Sequence, residues 1–284
     1  VNISFGSGRK FVSYEKTPPC EVSARFLPLI VATWNVNGIR ARAESFMRWV
    51  RTHQPDILCL QEIKAHPSQI PEVVKEIPRY TSHWHGALGG YSGVSIHVRE
   101  GALGKPDFTV PFFDEETRIL QADLDHLAVL NVYVPLGHKS YQQKLDFLDR
   151  LVDYIDTLHY EGRSVVLCGD FNVAHKDRDV HPQLMGDEVL CTRSDERQRL
   201  DGILKAGMHD LFRRHHPSAR GAYSWWPYSA QSRARNIGWR IDYIFVSHGL
   251  ARTSHGCRII KEEASSDHSP VVAIFKEPPL RKRT

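Results

Sequence analysis

The chain has no apolar run near the ~20 residues that a bilayer-spanning helix needs, and its alternation is too irregular for a membrane barrel. No membrane partner is expected. Its five cysteines, Cys20, Cys59, Cys168, Cys191 and Cys257, are odd in number and widely spaced, with no C-x-x-C pair. Neither a disulfide framework nor a zinc site fits that pattern. A reducing, intracellular compartment does, which in a bacterium means cytoplasm or nucleoid. Short-period repeats and low-complexity segments are missing, and the first 30 residues lack the long apolar stretch of a secretory signal. Neither sign of charge dominates: 37 Lys plus Arg against 33 Asp plus Glu leave +4.

What is present is an ordinary globular composition, with 41% hydrophobic, 25% charged and 10% aromatic residues in 284. That length supports one large core. Residues 1–29 are rich in Ser, Gly and Pro and read as an extension outside the core. Residues 277–284 read as a basic tail, leaving a single catalytic domain over 30–276. Seven apolar runs read as strands, at 30–36, 56–62, 93–98, 128–134, 164–170, 241–247 and 270–275. Several are apolar throughout, as strands covered on both faces are. Between them, Ala43, Phe46, Met47 and Val50 keep helical spacing, as do Tyr141, Leu145, Leu148, Val152 and Ile155. A third helix is expected from Ser194 to Gly207, with Asp195 and Glu196 in its first turn. This alternation defines an α/β protein.

Acids and amides stand at the ends of these strands: Asn35 and Asn37, Glu62, Asp170 and Asn172, Asp242, and the pair Asp267-His268. Each has an ordinary explanation by itself. Asn37-Gly38 makes a turn, Glu62 a surface acid, Asp170 a cap, Asp242 a partner for Arg240, and Asp267-His268 a solvated loop. Buried carboxylates cost several kcal/mol unless paired or metal-bound. The set therefore reads better as a hard-metal site, with oxygen ligands, no thiolates, and Mg²⁺ or Mn²⁺ as the ion. Asp242 and His268 can pair so that the acid fixes the imidazole tautomer, and Tyr133 projects a phenol from a strand end.

Residues 211–241 contain no Asp or Glu but six arginines, Arg213, Arg214, Arg220, Arg233, Arg235 and Arg240, interleaved with Phe212, Tyr223, Trp225, Trp226, Tyr228 and Trp239. Phosphate contacts with base or sugar stacking require that mixture. A buried aromatic cluster under a solvated basic face would show it too.

In chain order, ATWNVNGIRA, LCLQEIK, NVYVPLG, LCGDFNVAH, NIGWRIDYIFVS and SSDHSPV resemble the motifs of the exonuclease III family of abasic-site endonucleases, within the DNase I-like Mg²⁺-dependent phosphodiesterases. The resemblance implies a four-layer α/β sandwich, with two mixed β-sheets face to face and helices outside. It implies Glu62 as the main metal ligand, with Asn35 and Asp267 near the metal. Asp170 is implied to orient or deprotonate the attacking water and Asn172 to help place it. Asp242 and His268 would form the dyad at the scissile phosphate, and Tyr133 would bind a phosphate oxygen. Trp225, Trp239 and Ile241 would build the pocket for a flipped abasic sugar. Asn37 and, from the Arg-aromatic segment, Arg233, Arg235 and Arg240 are also expected on the DNA side. The expected reaction is hydrolysis 5′ to an abasic site in duplex DNA by a monomer, leaving a 3′-hydroxyl, with 3′-phosphodiesterase, 3′-phosphatase and 3′→5′ exonuclease activities at the same site.

The chain departs from the family pattern at Leu136, where a polar residue is common, in the short link to the helix at Tyr141, and at Trp225. An enzyme working mainly on blocked 3′ ends is therefore the near alternative. A phosphoinositide or sphingomyelin hydrolase would need lipid-facing loops, and a silent DNA-binding regulator should have lost some of Glu62, Asp170, Asn172, Asp242, Asp267 and His268.

Overall fold

The computed structural model describes residues 28–186, 189–229 and 231–276. The expected tail, Cys20 and nearly all of the expected extension lie outside the described residues. The first strand begins at Leu29, one residue inside the expected extension.

Strands are numbered in chain order and form two six-stranded mixed sheets. The first contains β1 (Leu29–Asn35), β2 (Ile57–Gln61), β3 (Tyr80–His85), β4 (Val94–Arg99), β11 (Ser254–Ile259) and β12 (Val271–Phe275), ordered β11-β12-β1-β2-β4-β3. The second contains β5 (Asp107–Thr109), β6 (Ile119–Leu124), β7 (Leu127–Tyr133), β8 (Ser164–Asp170), β9 (Met208–Asp210) and β10 (Asp242–Ser247), ordered β5-β6-β7-β8-β10-β9. The helices are α1 (Ile39–His53), α2 (Glu72–Lys75), α3 (Tyr141–Tyr160), α4 (Ser194–Lys205), α5 (Leu211–His215) and α6 (His248–Thr253).

Three apolar layers hold this together. Between the sheets lie Val31, Ile57, Cys59 and Ile96 from one and Leu120, Val129, Val166, Cys168 and Ile244 from the other. Cys59 and Cys168 are thus buried free thiols, serving as small hydrophobes. Outside the first sheet, α1 lays Phe46, Met47 and Val50 against Trp34, Leu58 and Leu60. Outside the second, α3 lays Leu148, Leu151 and Ile155 against Leu130, Val165 and Leu167. The result is the expected four-layer α/β sandwich.

Two β-α-β crossovers aim both sheets at one edge. β1 pairs β2 in parallel with α1 between them, and β7 pairs β8 in parallel with α3 between them. Parallel neighbours end on the same side, so their carboxyl ends meet there. α1 opens directly after Asn37 and Gly38, both at positive φ (46° and 96°). α3 is capped by Ser140, whose Oγ accepts from the backbone N–H of Gln143 at 3.2 Å.

Two details fix how the layers fit. Gly169 in β8 has φ 144°, and a Cβ there would meet the carbonyl oxygen of Val132 at 1.9 Å, so a side chain at this point would push β7 off β8. Between the sheets, Asn131 of β7 donates to the carbonyls of Leu60 and Ser95, each at 2.8 Å. Gln61 of β2 in turn donates to Asn131 Oδ1 at 2.6 Å. This buried polar bridge sets the sheet-to-sheet register one residue below Glu62, because satisfying all its donors allows only one alignment.

Candidate active site

The register carries the site. Tyr133, Asp170 and Asp242 are opposite one another across β7, β8 and β10, while Asn35 is opposite Gln61, just before Glu62. Glu62 and Asn172 both hold left-handed backbone, φ 54° and 49°. Such conformations cost a non-glycine residue on the order of 1 kcal/mol or more and persist where the surroundings enforce them. Here they turn the side chains just past two strand ends back over the sheet edge.

Hydrogen bonds and close ionic contacts join most of these groups. Asn35 Nδ2 donates to Glu62 Oε2 and to Asp170 Oδ2, each at 2.9 Å. The backbone N–H of Asn172 donates to Asp170 Oδ1 at 2.9 Å, and its side chain anchors to the Val134 carbonyl at 2.9 Å. His268 Nδ1 lies 2.9 Å from Asp242 Oδ2, and its Nε2 is 3.8 Å from Asp170 Oδ2. Asp267 accepts from Asn37 Nδ2 at 2.9 Å and from the Trp225 indole at 3.1 Å. The ordinary explanations of Asp170 and of Asn37-Gly38 thus hold locally, since the cap and the turn exist, but their side chains also converge here. The Asp242–Arg240 pairing does not exist; Asp242 faces His268.

Burial and neighbouring charge set the protonation states. Burial opposes the charged form of His268, but Asp242 and Asp170 outweigh it and push its pKa up to about 10, so the ring is an imidazolium at neutral pH. Burial pushes Asp170 up to about 7, with His268 and the bonds from Asn172 and Asn35 pulling against it and Asp242 adding to it. Tyr133 is raised well above a free phenol by burial and by Glu62 and Asp170, so it stays a donor. Burial opposes ionisation of Asp267, yet His268, Asn37 and Trp225 hold its carboxyl below the usual range.

Asp170, Asp242 and His268 bring ligand atoms within 4.8 Å of one another, close enough for an ion on distance alone. The Asp242 carboxylate is turned onto the His268 ring, at 2.9 Å from Nδ1. The carboxylates of Glu62 and Asp267, which line a neighbouring cleft, and the buried Asn35 amide bonded to Glu62 could also hold a hard divalent ion through oxygen.

That cleft has a volume of about 610 Å³. It is lined by Glu62, Asp170, Asn172, Tyr133, Asp267, His268 and Asn37 together with Trp225, Trp239 and Ile241. The two indole rings lie 4.9 Å apart between centroids, on segments bridged through their backbones. Gly238 makes this approach possible, since a Cβ there would meet the Trp225 carbonyl at 2.3 Å.

The arginines of 211–241 need correction. Arg240 is 0% exposed and pairs with Asp179 at 2.7 Å and Asp210 at 2.8 Å, so it cannot reach DNA. Arg213 binds the same Asp179. Arg233 directs its guanidinium to the carbonyls of Ser266, Lys261 and Glu263 and over the Trp226 ring, which makes it a brace rather than a phosphate contact. The acids that neutralise this segment come from other parts of the chain. Arg214, Arg220 and Arg235 are exposed.

Other contributors escaped the sequence reading. Lys64 bridges Glu62 Oε1 at 2.8 Å and Asn37 Oδ1 at 2.7 Å; its position two residues after Glu62 in QEIK was the available signal. Ser224 Oγ accepts from the backbone N–H groups of Ile241 and Asp242, each at 3.1 Å. Arg118 stacks on Tyr133 at 5.0 Å. The fully buried Lys144 donates to the Asn172 carbonyl at 2.7 Å and to Glu196 at 2.5 Å.

A two-sheet sandwich with acids, amides and an Asp–His dyad clustered at one edge defines a phosphodiester hydrolase of the nuclease type. The endonuclease/exonuclease/phosphatase family model matches residues 32–268, and the chain belongs to that family, whose nucleases depend on divalent metal. It is 34% identical over 250 residues to an exodeoxyribonuclease of Bacillus subtilis, covering 86% of this chain and 98% of the relative. Among solved structures, an AP endonuclease from Archaeoglobus fulgidus superposes with TM-score 0.78 at 34% identity, covering 87% of this chain and 99% of that one. The 3′ phosphatase NExo from Neisseria, bound to a product DNA hairpin, gives TM-score 0.79 at 29% identity, with coverage of 87% and 99%. No helix among the described residues is long and apolar enough to cross a membrane.

Proposed function

We propose that this protein hydrolyses the phosphodiester 5′ to abasic sites in duplex DNA as a Mg²⁺-dependent monomer, and that it also clears blocked 3′ ends. The carrying observation is the juxtaposition, within one cleft, of a phosphate-directed acid–imidazole cluster and a wall formed by Trp225, Trp239 and Ile241. An abasic nucleotide flips at low cost because no base has to be unpaired, and its bare sugar fits an apolar aromatic wall.

Asp170, held between Asn35 and Asn172, accepts the proton of a water aligned with phosphorus. Its pKa of about 7 matches that task at neutral pH. His268, kept charged and oriented by Asp242, donates to a phosphoryl oxygen, and neutral Tyr133 donates to another. Both donors are in place before charge develops. Glu62 and Asp267, with Asn35, would hold Mg²⁺, with Mn²⁺ as a substitute, and the ion supplies Lewis-acid charge withdrawal at the phosphate.

A second reading, mainly 3′-end processing, draws on the short link 134–140 between β7 and α3, which leaves little chain to wedge into a duplex. Duplex DNA bearing one internal tetrahydrofuran abasic analogue, incubated with Mg²⁺ or EDTA, separates the two. Incision just 5′ of the analogue, abolished by EDTA, is expected. An intact duplex, alongside processing of a nicked 3′-phosphate substrate, would install the second reading.

A further inference from the structure

A small cavity of about 180 Å³ lies at the edge of the sandwich opposite the active site, between the C-terminal end of α1 and the start of β3. β1 enters its sheet at this edge and reaches the active site at Asn35 six residues later, roughly 20 Å away. α1 covers the same span in reverse with its 15 residues, roughly 22 Å. A molecule bound here is remote from the cleft that cleaves phosphodiesters.

The floor of the cavity is apolar, formed by the buried side chains of Met47, Val50 and Ile77. Its rim carries Arg51, Arg79 and Arg99 beside Gln54, Pro78 and Tyr80. Arg99 belongs to the fold: its Nε donates to Asp56 Oδ1 at 2.9 Å, while Asp56 Oδ2 accepts from the Ile30 N–H at 2.7 Å. Arg51 and Arg79 are different. Both are exposed, and neither guanidinium has a carboxylate partner among the described residues. Arg51 stands in the last turn of α1, where the helix dipole favours a cation without occupying its hydrogen-bond donors. Arg79 holds φ at 68°, a backbone state for which an arginine offers no advantage, so the turn itself does not explain the side chain.

We propose that this cup docks an acidic peptide segment of a partner protein carrying one bulky apolar side chain. The apolar side chain occupies the floor, and flanking carboxylates meet Arg51 and Arg79 in charge-assisted pairs. A concave apolar floor distinguishes this surface from a phosphodiester track, which needs donors along a groove and nothing for a side chain to enter.

The test is fluorescence anisotropy of the full chain with a fluorescein-labelled peptide, Asp-Asp-Asp-Asp-Gly-Phe, with and without saturating abasic duplex. Saturable binding is expected, with Kd on the order of 10 µM. Arg51→Glu or Arg79→Glu should weaken it at least tenfold, as should replacing the peptide Phe by Ala. Both protein variants should keep wild-type melting temperature and incision rate. The proposal is overturned if no saturable binding occurs, if both variants bind as wild type does, or if the Ala peptide binds equally well. Displacement of the peptide by the duplex would overturn it too, since the peptide would then occupy the DNA groove.

Discussion

Trp225 donates its indole N–H to Asp267 at 3.1 Å, so the aromatic wall of the cleft and a carboxylate proposed to hold the metal are mechanically one piece. Packing and hydrogen bonding by this residue can be separated. Trp225→Phe keeps most of the ring area and removes the donor. The expected result is a several-fold rise in the Mg²⁺ concentration for half-maximal incision, with the rate at saturating Mg²⁺ within about threefold of wild type. Mn²⁺ binding measured calorimetrically should weaken in parallel. Unchanged metal dependence would reduce Trp225 to a wall.

The Asp242–His268 contact at 2.9 Å supplies the largest field holding the imidazole protonated. Asp242→Asn retains the shape and removes the charge. Single-turnover incision should fall by roughly 10³- to 10⁴-fold, because an orienting carboxylate and its imidazole act as a unit. The His268 resonance in NMR titration should shift to a lower pKa than about 10. A fall of less than tenfold would make Asp242 structural.

Much of the acid and amide cluster was legible because most of its side chains stand at or next to the ends of strong strand signals. The runs that became β1, β2, β7, β8, β10 and β12 are buried on both faces, and continuous apolar sequence is their mark. Edge strands gave no such mark. β3 reads YTSHWH and β11 reads SHGCRI, each half-exposed and short of apolar residues. The arginines were misread for a different reason: Asp179 and Asp210 neutralise Arg240 from 61 and 30 positions away, and an acid-free window cannot show acids that arrive by folding. Lys64, Ser224 and Arg118 matter only through the groups they touch, which composition does not reveal.

Two buried groups predict acid sensitivity. His97, wedged between Ser95 and Ser82, is pushed by burial from 6.5 down to about 3. Burial opposes ionisation of Asp179, but Arg240 and Arg213 hold it down to about 2, against an ordinary 3.8. In both cases the unfolded chain binds the proton more tightly. The stability each supplies is complete above its unfolded pKa and is lost as pH falls, between 6.5 and about 3 for His97 and between 3.8 and about 2 for Asp179. Below pH 6.5 these two groups therefore pull the urea unfolding free energy down, against Asp170, whose pKa of about 7 lies above the ordinary 3.8 and favours the folded state as pH falls. In His97→Gln, the slope between pH 6 and 4 should be shallower by up to about 1.4 kcal/mol per pH unit, one proton's worth. An identical slope would show that His97 titrates in the folded state.

Arg235 and Arg240 separate surface charge from structural charge within one basic segment. Arg240 is sealed between Asp179 and Asp210, and Arg240→Ala leaves two buried carboxylates short of their cation. A loss of about 3–5 kcal/mol in unfolding free energy is expected, with the salt dependence of DNA binding by the remaining folded protein unchanged. Arg235 is exposed, and Arg235→Ala should leave the melting temperature within a degree or two of wild type. If its guanidinium meets one phosphate, the slope of log K against log salt should become shallower by about 0.9. Measuring both quantities on both variants makes the assignment reversible: a stable Arg240→Ala protein with a flattened slope would put Arg240 on the DNA, against its complete burial.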